Sequence, residues 1–172
     1  MRLMLAMLLW CFAAMASAAP LLSYFEDGQH LRPLDAIDMA AALHLGEVMQ
    51  YRARVADEQL QYQFTLVDPG TRLQHKLVLD GRQGQVLQRS ASPLAKEAPV
   101  LALALLLRER RQTLSALARP LLAQHPGYLQ QALLDQDLGI SYLELKILDE
   151  HGSYNLAFDI EHQRQLPLLK WD

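Results

Sequence analysis

Residues 47–81 read EVMQYRARVADEQLQYQFTLVDPGTRLQHKLVLDG, and the alternation of apolar and polar side chains in this stretch decides the fold. Three successive runs place an apolar residue at every second position, which is typical of strands with one buried face. Asp57-Glu58 and Asp68-Pro69-Gly70 supply turns between the runs. The segment therefore predicts an antiparallel meander of three or four strands.

A helix is predicted immediately before the meander. Pro33 suits the first helical position, and Asp35 lies where the helix dipole favours a carboxylate. Apolar residues between positions 34 and 41 share one helical face, and Gly46 ends the helix. We expect Tyr62 and Phe64 to be buried in the meander against this helix.

The second half of the chain repeats this pattern. Residues 80–87 align without gaps to residues 159–166, and two alternating strands are predicted over 143–147 and 154–160. A helix rich in leucine and alanine is predicted over 100–124, interrupted at Pro120. The alternative is that any two meanders look alike at this level.

The fold class predicted from these patterns is α+β, with two helix-plus-antiparallel-meander units packed in tandem. The first unit covers residues 19–92 and the second, more divergent unit covers residues 93–172. Ser90-Ala91-Ser92-Pro93 is the predicted seam between them.

The N-terminus has the features of a secretory signal. Arg2 precedes an apolar stretch, and Ala16-Ser17-Ala18 forms a small-residue cleavage site. Residues 1–18 are therefore predicted to be a cleavable signal peptide, which makes the mature chain periplasmic with no stable membrane insertion. An uncleaved membrane anchor is the alternative, because the apolar stretch is almost long enough to span a bilayer.

Composition excludes several chemistries once the signal is removed. The one cysteine, Cys11, lies inside the signal, so the mature chain has no disulfide, no thiol nucleophile and no zinc–thiolate site. Removing Arg2 takes the net charge from -3 to -4. A mildly acidic chain lacks the electrostatic footprint of a nucleic-acid-binding protein, so no nucleic-acid partner is expected.

The first predicted unit resembles the PepSY domain. The resemblance rests on Pro33-Leu34-Asp35-Ala36-Ile37-Asp38-Met39-Ala40, on Gly46-Glu47-Val48, on the strand around Tyr62 and on the run from Leu77 to Leu87. Residues 112–166 resemble it more weakly, because Gln163 replaces the turn glycine and Pro120 lies in the helix. The resemblance implies a module that binds or restrains other proteins outside the cytoplasm, and it implies no reaction.

A search for catalytic and metal-binding motifs finds none. The six histidines include no His-x-His or His-x-x-x-His pair, and His75 is predicted to be a partly buried strand residue. The carboxylate pair Asp135 and Asp137 is predicted to lie in a turn. We expect no catalytic residues, no metal and no cofactor. An enzyme would require tertiary structure to assemble a site from scattered residues.

The polar face of the first meander is the candidate binding site. It is predicted to carry four cations and no carboxylate, in the set Gln50, Arg52, Arg54, Gln61, Gln63, Thr65, Arg72, Gln74 and Lys76. Arginine offers bidentate contacts to carboxylates, so this face suits an acidic or polar partner. Chance sorting of few charges is the alternative. The candidate binding residues are Arg52, Arg54, Arg72, Lys76, Gln63 and, in the apolar C-terminal tail, Trp171.

The sequence thus predicts an exported, non-catalytic binding protein. Its sheet face would regulate or inhibit a peptidase or an extracytoplasmic sensor domain. The alternative function is a periplasmic carrier or sensor of a small ligand or metal, held between sheet and helix.

Overall fold

The computed structural model describes residues 18–167, with side chains from residue 21 onward. Most of the predicted signal peptide and the tail residue Trp171 therefore lie outside the described residues. The elements, in chain order, are α1 Ala18–Glu26, α2 Pro33–Ala41, β1 Glu47–Ala56, β2 Gln59–Asp68, β3 Leu73–Asp80, β4 Val86–Pro93, α3 Pro99–Arg110, α4 Leu114–Gln124, β5 Tyr128–Asp137, β6 Ile140–Asp149, β7 Gly152–Asp159 and β8 Arg164–Leu166. None of the helices described is long and apolar enough to cross a membrane.

All eight strands form one antiparallel sheet in the order β4-β3-β2-β1-β5-β6-β7-β8. The predicted class, α+β with two helix-plus-meander units in tandem, is wrong, because the chain folds into one β-rich sheet. β1 pairs with β5 through Gln50↔Leu133, Tyr51↔Ala132 and Arg52↔Gln131. An unpaired edge strand exposes a row of backbone hydrogen-bonding groups, and this pairing covers the middle of two such edges at once.

The four helices pack on one side of the sheet. The buried core combines strand residues such as Tyr62 and Leu145 with helix residues such as Ile37 and Leu103. Tyr62 is 0% exposed and Phe64 is 3% exposed, so their predicted burial is confirmed. α2 packs on β1 and β5, and α3 packs on β1, β2 and β5. The other side of the sheet is left without a helix over residues 18–167.

Tyr51 lies at the centre of the core, where β1 meets β5. It is fully buried, and its hydroxyl donates to the Leu129 carbonyl at 3.1 Å. Its ring lies 5.8 Å from that of Tyr62 and 5.7 Å from that of Phe64. Burial raises the pKa of Tyr51 well above its ordinary value, so the hydroxyl remains a donor at all physiological pH values.

A β-bulge interrupts each of the two central strands. The register shifts between Val48 and Gln50 in β1, and between Leu129 and Gln131 in β5. A bulge inserts one extra residue and breaks the period of two, and in β5 the apolar Leu133 also lies between buried Ala132 and Leu134, so the sequence does not alternate there. The prediction that Asp135 and Asp137 lie in a turn is wrong, because both residues belong to β5.

A glycine with positive φ precedes each central strand. Gly46 and Gly127 both have φ of 128°. A Cβ atom on Gly46 would lie 2.5 Å from the carbonyl of Val67, and one on Gly127 would lie 2.7 Å from Ile147 Cγ2. Only glycine therefore allows the chain to enter each central strand this close to its neighbour.

The predicted helix 100–124 is two helices, and the break is not at Pro120. Arg111 adopts φ of 53° and donates its N–H to the Arg108 carbonyl, which ends α3. The Thr113 hydroxyl then accepts the Ala116 N–H at 3.2 Å and caps α4. Pro120 lies inside α4. The interruption follows from these caps, since they satisfy backbone groups that a continuous helix would have paired.

Arg108 at the end of α3 ties this helix to the sheet. Its Nε donates to Glu47 Oε1 at 3.1 Å and its Nη2 donates to Asp68 Oδ1 at 3.0 Å. Hydrogen bonds from the Thr71 hydroxyl, the Gly70 N–H and Arg108 lower the pKa of Asp68 to about 2. Because Arg108 is 43% exposed, solvent weakens the ion pairs, which mainly set the position of the helix.

The predicted seam at 90–93 lies inside a strand. These four residues belong to β4, where they pair with residues of β3 from Leu73 to Lys76. Every residue of β4 is exposed because the strand forms the edge of the sheet.

We predict that Phe64→Ala lowers the free energy of unfolding by about 3–5 kcal/mol, the cost of removing a buried aromatic ring. Urea denaturation followed by circular dichroism measures the change. Thr65→Ala, on the opposite side of the same strand, is the matched control and should cost less than about 1 kcal/mol. Equal losses in the two variants would show that the strand faces are assigned the wrong way round.

Candidate functional site

The candidate site lies on the side of the sheet that carries no helix among the described residues, which we call the open face. Its residues flank buried neighbours along each strand, as Arg52 lies between Tyr51 and Ala53. One row across the sheet runs Ser90, Lys76, Thr65, Gln50, Leu133 and Glu144. The open face is therefore continuous across the pairing of β1 with β5.

A groove of about 390 Å³ crosses the open face over β1 to β4. It brings together three of the predicted binding residues, Arg52, Gln63 and Lys76. The rest of its polar lining is uncharged and comprises Gln50, Thr65, Gln88 and Ser90. The groove therefore presents two cations among amide and hydroxyl groups.

Arg54 lies beside this groove and is held by neutral partners. Its Nη2 donates to Gln61 Oε1 at 3.0 Å. With the Gln63 amide oriented to satisfy its neighbours, Arg54 Nε also donates to the Gln63 oxygen at 3.0 Å. Amide oxygens orient the guanidinium without neutralising it, so its charge remains available to a ligand.

The cations Arg52, Arg54 and Lys76 form no ion pair with any residue between 21 and 167. All three side chains are exposed. We call these three residues the cationic patch. Cross-strand pairs of opposite charge usually stabilise a solvated sheet face, and the cationic patch has no such pair within residues 21–167.

Like Arg54, the predicted binding residue Arg72 does not line the groove. Arg72 lies in the turn between β2 and β3 with φ of 58°, where its carbonyl accepts the Leu94 N–H. Trp171 lies outside the described residues. The structure thus brings Arg52, Lys76 and Gln63 together, places Arg54 beside them and leaves Arg72 at the end of the sheet.

A cluster of acidic residues occupies the other half of the open face. Asp135, Asp137 and Glu144 surround Tyr142, and we call these three carboxylates the anionic patch. Tyr142 donates its hydroxyl to Asp135 Oδ2 at 3.4 Å. Partial burial and then the charges of Asp135 and Glu144 raise the pKa of Tyr142. The sequence did not predict this patch, because Ala132-Leu133-Leu134 is apolar at every position and does not alternate. The available signal was Gly127, which precedes β5 as Gly46 precedes β1.

The histidines form no metal site within the described part of the chain. No group of three or more His, Cys, Asp or Glu side chains there could hold a metal ion. His75 lies on the core side of β3 and is 8% exposed, as expected of a buried strand histidine. His162 pairs with Asp159 at 2.9 Å in the turn after β7, where both residues shape that turn.

A second groove, of about 570 Å³, lies on the helix side between α4 and β7. Leu117, Leu121 and Phe158 give it apolar walls, and Gln124 and His125 add polar groups at one end. This volume falls within the usual range of small-molecule sites.

Comparisons with known proteins assign no family to this chain. No protein-family model matches the chain. No curated protein matches it either. Among solved structures, a candidate lipoprotein from Clostridium difficile 630 is similar with a TM-score of 0.48 at 16% sequence identity, over 83% of this chain and 95% of that chain. The resemblance to the PepSY domain therefore stays a prediction.

We predict that Asp135→Asn lowers the pKa of Tyr142 toward the ordinary tyrosine value, because one of the charges that raise it is removed. NMR titration of tyrosine labelled at Cζ, with Tyr142→Phe to assign the signal, measures the shift. Asp149→Asn is the control, since Asp149 acts on Tyr154 and should leave Tyr142 unchanged. An unchanged Tyr142 pKa in Asp135→Asn would contradict the arrangement of the anionic patch.

Proposed function

We propose that this chain is an exported, non-catalytic binding protein that docks a protein partner on its open face. Export to the periplasm rests on the secretory signal that the sequence predicts for residues 1–18. The partner class, a peptidase or an extracytoplasmic sensor domain that the docked protein regulates or inhibits, rests on the PepSY resemblance.

The observation that carries this proposal is the unpaired cationic patch beside the groove. Arg52 and Lys76 project into a concave surface from neighbouring parts of one rigid sheet, and no described carboxylate neutralises them. A partner that presents Asp or Glu side chains would form charge-assisted hydrogen bonds there. The surrounding glutamines and hydroxyls can each donate or accept, which suits an exposed peptide backbone.

Binding without chemistry is favoured by the lining of the groove. Its side chains are amides, hydroxyls, two cations and apolar groups, and it contains no His, Cys, Asp or Glu. A hydroxyl nucleophile needs an adjacent general base, and the Thr65 hydroxyl donates instead to the Gln50 amide oxygen at 3.4 Å. The groove therefore suits recognition of a surface better than a reaction.

A second candidate function is supported by the groove between α4 and β7. Its apolar walls and polar end are typical of sites for small molecules. A carrier or sensor of a small ligand would use this groove and leave the open face uninvolved, so variants of the open face separate the two functions.

The experiment begins by capturing partners from periplasmic extract with the purified chain and identifying them by mass spectrometry. Binding of the purified partner is then measured by calorimetry for the wild type and for the double variant Arg52→Glu/Lys76→Glu. We expect the variant to bind at least about a hundredfold more weakly, since like charges then face each other. Wild-type binding should weaken as salt rises.

The matched control is Arg72→Glu/Arg89→Glu, which changes the charge by the same amount away from the open face. Arg89 in β4 pairs with the core residue Leu77 of β3, which places Arg89 on the side opposite the open face, and Arg72 lies in a turn. Partner binding should therefore be kept. Equal affinity of both double variants and the wild type would overturn docking on the open face. Retained affinity together with a ligand bound beside α4 would favour the second candidate function.

A further inference from the structure

The charges of the open face are separated by sign along the central strands. From the neutral pair Gln50↔Leu133, Arg52 and Arg54 follow at two and four residues along β1. Asp135 and Asp137 follow at two and four residues along β5. Because the two strands are antiparallel, the cations extend toward one end of the sheet and the carboxylates toward the other.

Across the strands the separation is partial, because Lys146 in β6 lies two residues from Glu144 and shares the row of Arg52 through Gln131. Lys76 in β3 and Glu144 in β6 share the row that contains Gln50 and Leu133, with Lys76 on the β1 side and Glu144 on the β5 side. The cationic patch and the anionic patch therefore lie on opposite sides of one neutral centre. That centre carries Gln50, Thr65 and Leu133, and interface cores are commonly depleted of charge in the same way.

This arrangement is complementary to itself. A second copy turned by 180° about an axis that lies in the open face, perpendicular to the line joining the two patches, sets each patch over the opposite patch of its partner. A two-fold interface uses the same surface on both subunits, so each cation–carboxylate contact occurs twice. The opposite signs also cancel the repulsion that a uniformly basic face would meet in a second copy.

The open face is large enough for such an interface. The seven strands of eight to ten residues, at about 4.8 Å spacing, span roughly 29 Å and extend at least about 26 Å along their length. The product, about 750 Å², compares with the roughly 800 Å² that each partner buries in a standard stable interface.

We propose that the open face binds a second copy of this chain face to face, with the cationic patch of each subunit over the anionic patch of the other. This goes beyond the proposed function and rests on it only in that both use the open face. Dimerisation and partner docking then exclude each other, so the partner has to displace the second copy.

Sedimentation velocity of the purified chain tests the proposal. We expect a dimer at low salt that dissociates toward monomer as salt rises, because opposite charges are screened. Arg52→Glu/Arg54→Glu reverses most of the charge of the cationic patch, and Asp135→Arg/Asp137→Arg reverses most of the charge of the anionic patch, while Lys76 and Glu144 keep theirs. Each variant alone should be monomeric, with dimer affinity reduced at least tenfold, and circular dichroism should confirm that both fold.

An equimolar mixture of these two variants should restore the dimer, because every contact then joins opposite charges. The control Arg72→Glu/Arg89→Glu should remain a dimer. A wild-type chain that stays monomeric at about 100 µM and low salt would overturn the inference, as would a mixture that forms no heterodimer. A wild-type dimer that both double variants keep would also overturn it.

The variants also separate this inference from the proposed function. Asp135→Arg/Asp137→Arg keeps the cationic patch, so it should lose the dimer and still capture an acidic partner. Loss of the predicted dimer behaviour with intact partner capture contradicts the dimer alone. Intact dimer behaviour with partner capture unaffected by Arg52→Glu/Lys76→Glu contradicts the docking function alone.

Discussion

The pairing of β1 with β5 is the constraint on which the rest of this structure depends. Without it, each four-stranded meander would keep a long unpaired edge, and the two halves would need separate cores. With it, α2 and α3 pack over the same central strands, and Tyr51 is fully buried between them. The Tyr51 hydroxyl donates to the carbonyl of Leu129 across this pairing. One buried side chain thus links the strand register at the centre to the packing of the helices above it.

The same pairing creates the surface that we assign to binding. All four helices of residues 18–167 lie on one side, so within this part of the chain the eight strands present their other side as one continuous face. That face is neutral at its centre and carries opposite charges on either side of it. Each patch alone would be an ordinary solvated surface. Because β1 and β5 join the two patches, the open face has a positive side and a negative side. A partner meets the least repulsion when its own charges are opposite to these and it is oriented to match them.

Local patterns in the sequence predicted the first half of this sheet well. The period of two located β1, β2 and β3, and Pro33 located the start of α2. The prediction failed where the alternation of apolar and polar residues no longer distinguishes a strand from a turn. In β5 the bulge and the apolar run Ala132-Leu133-Leu134 leave no alternation in the sequence, so the prediction that Asp135 and Asp137 lie in a turn was wrong and gave no sign of the anionic patch. The fold class was predicted wrongly because β1 pairs with β5, whose residues lie about eighty positions further along the chain. Local alternation does not show which strands pair. Arg72 was predicted to lie on the polar face of the sheet, but it lies in the turn before β3 with a positive φ, and β3 begins at Leu73.

Native-state hydrogen exchange of the backbone amides of β1 and β5 tests the central claim most directly. If one sheet with one core is correct, amides in the β1–β5 pairing, such as those of Tyr51 and Ala132, open only in global unfolding, with the same free energy as the slowest amides of β2 and β6. Tyr51→Phe should lower this free energy for both halves together. Exchange of the β1–β5 amides at a much lower free energy, with β2 and β6 still protected, would show two separately stable halves and would contradict a continuous open face.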